Sequence, residues 1–194
     1  MSNSPIFKSF NDGLELLTAF INDTENIEKV EALSAKLAES FNACGKSIIF
    51  GNGGSACDAA HFAEEFTGRY RKDRAPLPVI SLNDPGHITC VGNDYGFDYI
   101  FSRPVEAFAG ENDVVIGLST SGNSSNVKRA LDMAKEKGAY TVALLGKDGG
   151  IMKGLYDHEW VIEGTTSDRI QEIHMMILHI LIEGVERILF PENY

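Results

Sequence analysis

The chain has 194 residues, enough for one domain with a substantial buried core. Its net charge of −11 argues against a broad basic surface for nucleic acid or an anionic membrane. An anionic ligand would have to be held locally, by backbone N–H groups and hydroxyls.

Two helices come first, with Phe10, Leu14, Leu17 and Ile21, then Ile27, Val30, Leu33, Leu37 and Phe41, at helical spacing. "NDTEN" (22–26) between them supplies turn and cap chemistry. The pattern then changes to short apolar or β-branched runs at 47–50, 77–82, 113–119, 140–146 and 159–164. Such continuous runs suit strands buried on both faces of a parallel sheet. Helical segments at about 55–70, 97–109, 124–138 and 167–190 separate or follow them, so an open α/β sheet with right-handed crossovers is expected. The last helix is apolar nearly all round from Ile173 to Ile182, apart from His174 and His179. A helix of that kind is buried all round. A domain this size has little room for it, so a homo-oligomer is expected, with a central core helix as the blander alternative.

Cys44, Cys57 and Cys90 form no CxxC pair and are odd in number, which fits a reducing cytosol. Residues 1–13 do not read as a signal peptide, and "IHMMILHILI" (173–182) is about half a membrane span. The expectation is a soluble, cytoplasmic protein with no nucleic-acid or membrane partner.

"SIIFGNGGS" (47–55) is a strand running into glycines and then a helix. Gly51-x-Gly53-x-x-Ala56 formally fits a dinucleotide fingerprint, but that motif needs an acidic residue about twenty positions on. The candidate here, Asp84, comes after the polar stretch "TGRYRKDRAP", so the dinucleotide reading is disfavoured. The looser reading is an anion held by backbone N–H groups at the helix start, with Asn52 and Ser55 adding side-chain hydrogen bonds. A plain tight turn is the alternative. "LSTSGNSSNV" (118–127) changes the odds, with Ser119, Thr120, Ser121, Ser124 and Ser125 around Gly122. Hydroxyls at a helix N-terminus can wrap a phosphate without any lysine, although serine also caps helices with no ligand involved. Both loops would lie at the carboxyl edge of one sheet, which makes a phosphorylated small molecule the leading ligand class.

His61 and Glu65 lie four residues apart on one helix face, and Glu64 is also within a turn, so spacing alone leaves both glutamates open. Gln171 and His179 on the last helix differ by about 80° in direction and two turns in height. His179 sits in an apolar run, where a histidine must be hydrogen-bonded by a neighbour or ligate something. The functional alternative is a His61/Glu65/Gln171/His179 cluster around zinc or a similar ion.

"GNGGSACDAAHFAEEF", "GNDYGFDYIFSRPVEAF", "STSGNSSNV" and "RIQEIHMMILHILIE" resemble the phosphoheptose isomerases of the sugar isomerase (SIS) domain family, over nearly the whole chain. The resemblance implies a flavodoxin-like three-layer sandwich in a single SIS domain over 1–194. Within it, 1–45 would be a helical extension, 46–166 the sheet core and 167–194 an oligomerisation helix. It also implies a homotetramer with one zinc per subunit. The activity implied is conversion of D-sedoheptulose 7-phosphate to D-glycero-D-manno-heptose 7-phosphate through an enediol or enediolate, the first step of heptose supply for lipopolysaccharide core. By motif position, Asn52, Gly53 and Gly54, with Ser55 on the rim, would contact substrate, as would Asn93 and Asp94. Ser119, Thr120, Ser121 and Ser124 would hold the phosphate. His61, Glu65, Gln171 and His179 would surround zinc, Glu65 and Gln171 also reaching substrate, and the family pattern selects Glu65 over Glu64. Asp168 falls at a position near the sugar.

Proton transfer between C1 and C2 needs a base over one carbon, a group that manages the oxygens, and stabilisation of the enediolate charge. Glu65 as carbon base and His179 as oxygen shuttle fit in type, with the reverse open and zinc as Lewis acid. Glu65 cannot be a tight ligand and a free base at once, so its coordination would have to loosen when substrate binds. Some SIS relatives are instead non-catalytic regulators, including one that binds the bacterial replication initiator, and lack the acid/base positions. Retention of Glu65 and His179 favours an enzyme. Isomerases for shorter sugars in this family usually carry additional domains.

Overall fold

Strands β1 (Ser47–Gly51) and β3 (Val114–Ser119) have no polar alternation, and every residue of both is buried. That is the mark of strands covered on both faces. In the computed structural model, which describes residues 4–194, they lie side by side at the centre of a five-stranded sheet. β2 (Val79–Ser81) flanks β1 on one edge, while β4 (Tyr140–Gly146) and β5 (His158–Ile162) continue beyond β3. The order is β2-β1-β3-β4-β5 and every pairing is parallel. Strand order therefore reverses between β1 and β3, the switch point where open α/β sheets leave a crevice at their carboxyl ends.

Alternate residues of each strand feed two separate cores. Ile49, Ile116, Leu118, Val142 and Leu144 pack with α2 (Thr24–Asn42), α3 (Gly54–Thr67) and α7 (Ser167–Leu189). Ile48, Phe50, Val115, Ala143 and Leu145 face the other way, with α4 (Pro85–Asp94), α5 (Ser102–Phe108) and α6 (Ser125–Glu136). The result is the three-layer α/β sandwich expected, with α1 (Pro5–Asn22) lying outside α2 and α7. Among the described residues no helix is long and apolar enough to cross a membrane.

Three local expectations change. The segment 97–109 is not one helix but a 3-10 turn at Phe97–Tyr99 followed by α5. Helix α4 was not expected, because its sequence "PGHITCVGND" contains two glycines and ends in turn-forming residues. Its start is nevertheless well encoded: Asp84 caps it by accepting from His87 N at 2.7 Å, and Pro85 takes the first turn. Asp84 is thus a helix cap, which accounts for the acid once weighed against a ribose. The stripe read from spacing on α1 divides: Phe10 at 75% exposed, Leu14 at 60% and Ile21 at 51% point outward, and Leu17 turns inward. Leu16, Leu17 and Phe20 supply the inner contact. The helix carries two apolar faces, and among the described residues only one has a covering. Helix α7 is similar: Ile173, Ile177, Leu178, Leu181 and Ile182 are buried, whereas Met176, Ile180 and Ile188 are exposed.

Candidate active site

Glycines shape the first wall. Gly53 has φ +58°, a backbone state that costs an L side chain but not glycine, and it stands as the N-cap of α3. A Cβ on Gly54 would stand 2.3 Å from Gln171 Nε2, so its bare backbone is what lets α7 come this close. Asn52 is held by a reciprocal amide pair with Asn126, both bonds 2.9 Å, and Asn126 is itself buried. That pair ties the glycine loop to the start of α6. Ser55 is buried in the first turn of α3.

The second wall is the loop from β3 into α6. Gly51 registers with Leu118, so the loops after β1 and β3 leave the sheet side by side. Ser119 and Ser124 hydroxyls lie 2.9 Å apart, Ser121 Oγ accepts from Asn123 N at 3.1 Å, and Thr120 Oγ1 donates to Ser167 Oγ at 3.2 Å. Ser125 instead donates to Asp98. Ser124 is the N-cap of α6 yet makes no side-chain cap bond, so capping does not account for this serine. Hydroxyls grouped at a positive helix end form a neutral anion cradle, the solution open to an acidic chain.

The third part is the seam between α3 and α7. His61 Nε2 lies 3.0 Å from His179 Nε2 and 3.4 Å from Glu65 Oε1. The two ring nitrogens cannot both carry a proton at that distance. Donor atoms of His61, Glu65 and His179 all lie within 4.8 Å of one another, so the three could hold a metal ion. Two imidazoles and a carboxylate are ordinary ligands for zinc. Among the described residues nothing hydrogen-bonds the buried Glu65 Oε2, an orphaned acceptor that fits a ligand at this point. Burial pushes the Glu65 carboxyl up, and the neighbouring Glu64 adds to it. Burial holds the His179 imidazole below its ordinary range, reinforced by His61. The ring of Tyr70 stacks over His179 at 6.1 Å between centroids.

Both glutamates left open by spacing are engaged. Glu65 faces His61 Nε2, while Glu64 Oε1 lies 3.2 Å from His61 Nδ1. The fully buried histidine of α7 is His174, not His179: it donates to Leu145 O at 3.0 Å, and burial pulls its pKa down to about 4. His179 is only half-buried and faces His61. Gln171 lies against Gly54 and beside Asp58, whose carboxyl burial raises and Gln171 lowers. Asp168 is exposed in the first turn of α7, with Thr166 and then Arg169 drawing its pKa down. Asn93 and Asp94 are exposed at the end of α4, where Asn93 Nδ2 donates to Asp94 at 2.8 Å. Among the described residues no hydrogen bond joins these two to the loops or the seam. Sequence reasoning passed over Asn126, Asp58 and Arg74. Asn126 stood one residue beyond the serines, and Asp58 lies one turn before His61. Arg74 gave no local signal.

Residues 10–146 match the SIS domain family model. A phosphoheptose isomerase of Fusobacterium nucleatum is 60% identical over 189 residues, 97% of each chain. Among solved structures, a phosphoheptose isomerase from Neisseria gonorrhoeae superposes with TM-score 0.87 at 32% identity, over 93% of this chain and 96% of that one. One from Francisella tularensis gives 0.89 at 30% identity, over 94% and 96%. The chain is an isomerase, and it belongs to the phosphoheptose isomerases of the SIS-domain family.

Proposed function

We propose that the protein interconverts D-sedoheptulose 7-phosphate and D-glycero-D-manno-heptose 7-phosphate, an aldose–ketose isomerisation through an enediol or enediolate. The single observation that carries this is the convergence of His61, Glu65 and His179, with donor atoms within 4.8 Å of one another, in a chain that also carries a neutral hydroxyl cradle at the carboxyl end of β3. The relatives bear the name of that activity, and the whole chain works as one SIS unit with the helices of 1–45 and 167–194 around the core of 46–166.

Ser119, Thr120, Ser121 and Ser124 bind the phosphate, and Asn52, Gly53, Gly54 and Ser55 line the sugar, with Asn93, Asp94 and Asp168 reaching it from the rim. Glu65, its carboxyl raised by burial, takes the proton from the carbon. His179, held neutral by burial, carries the oxygen-bound proton. His61, Glu65, Gln171 and His179 would hold zinc, which when bound supplies Lewis-acid polarisation of the substrate oxygens.

The outward apolar faces of α1 and α7, with Phe10, Leu14, Met176 and Ile180 exposed, support a homotetramer. A cytoplasmic location and a place at the start of heptose supply for lipopolysaccharide core complete the reading. The test is incubation with sedoheptulose 7-phosphate, with and without chelator, followed by NMR of the product. Appearance of the aldose, lost on chelation, is expected; no conversion overturns the substrate, and full conversion in metal-free protein overturns the role of zinc.

A further inference from the structure

Helix α3 ends at Thr67, and its last carbonyls lack helical partners. One side chain gathers two of them. Arg74, on the polar connection to β2, donates from Nη2 to Glu65 O at 2.7 Å and from Nη1 to Phe66 O at 2.7 Å, with Gly68 O at 3.2 Å. Its Nε donates to Glu186 Oε1 at 2.8 Å. Both side chains are 1% exposed. The second oxygen of Glu186 accepts from Tyr194 Oη at 2.8 Å, so the buried charges are fully satisfied on both sides.

The placement matters more than the pair itself. Arg74 grips the backbone of Glu65, the residue proposed as base. Glu186 lies seven residues beyond His179 on α7, two turns along nearly the same face. A single buried ion pair thus joins the turn of α3 that carries Glu65 to the face of α7 that carries His179. A buried ion pair adds little net stability over apolar residues of the same volume, whereas its directional hydrogen bonds admit one geometry. An arginine fork can hold a carboxylate and two carbonyls together, which an ammonium cannot.

We propose that the Arg74–Glu186 pair sets the separation of Glu65 from His61 and His179, making Arg74 and Glu186 positioning residues of the isomerase. This rests on the reading of Glu65 and His179 given above. The test is Arg74→Lys, which keeps a cation for Glu186 but loses the fork. A folded protein with a lowered melting temperature is expected, because buried carbonyls lose their donor, with kcat on sedoheptulose 7-phosphate lower by about 10- to 100-fold and KM little changed, as for misplacement of a reacting group. Zinc affinity, read by chelator competition without substrate, falls by about 10-fold, the scale of a lost outer support. Where Arg74→Lys does not fold, Arg74→Met with Glu186→Leu removes both charges and leaves neither unpaired, and the same losses are expected. Tyr194→Phe, at a partly exposed position, gives a smaller fall in kcat. A folded Arg74→Lys or double variant with wild-type kcat and wild-type zinc affinity overturns the proposal. Absence of turnover in the wild-type protein overturns the substrate reading instead, and the zinc titration still decides the role of the pair.

Discussion

The junction of β3 and α6 carries five hydroxyls within seven consecutive residues, whereas the α3–α7 seam brings together His61 and His179 from positions 118 apart. The loop works through its own backbone: strand, glycine turn and helix start are contiguous, and the donors come with them. The seam depends on two helices meeting at one angle, and its chemistry changes if either shifts. The loop can therefore lose a hydroxyl and keep its shape, while the seam has no spare part.

The largest effects belong to the seam. Glu65→Gln and His179→Gln are each expected to lower turnover by at least about 10²-fold with melting unchanged, the range of a lost acid/base group. NMR of product formation checks this, and ordinary turnover in either variant would remove the contrast between the two regions.

A second break lies within α7 itself, between His179 and His174. His174 is pulled from 6.5 down to about 4 by burial. The unfolded chain binds this proton near 6.5 and the folded one only near 4, so stability is full above 6.5 and is lost as pH falls toward 4. The change is up to about 3 kcal/mol. His158, also pulled to about 4 by burial, adds a limb of the same sign. Urea midpoints across pH 7 to 4 should show the fall, and His174→Leu should flatten part of it while kcat at neutral pH is retained.

Glu64→Ala tests the outer edge of the seam. With Glu64 Oε1 3.2 Å from His61 Nδ1, the carboxylate favours a proton there and leaves Nε2 free to ligate. Zinc affinity measured by chelator competition should drop about 10- to 100-fold, with helicity unchanged. An unaltered affinity would mean that the exposed pair does nothing for the ring.

The smallest effects are expected in the cradle. Ser121→Ala or Ser124→Ala should raise KM roughly tenfold, one hydrogen bond to a charged group, and leave kcat nearly intact. A collapse of kcat in either would place the loop in the chemistry and erase the distinction.

Much of this was legible beforehand, for a physical reason in each case. β1 and β3 were found because strands buried on both faces need unbroken apolar runs. The cradle was found because its donors are consecutive. Helix α4 was missed because Gly86 and Gly92 outweigh the Asp84–Pro85 start signal in a reading by residue preference, while packing of Val91 against the second core overrides it. The choice between Glu64 and Glu65 had no local answer, since i+3 and i+4 both reach His61.

Periodicity, glycine placement and capping act over a few residues, so the five strands, the hydroxyl loop and the residue types of the site are written locally in the chain. Which histidine of α7 is core and which faces His61 follows from long-range packing. The same packing puts Glu64 and Glu65 on different nitrogens of one ring and closes Arg74 onto Glu186. Those outcomes depend on how α7 lies across α3, and that is fixed by the packing of the whole core.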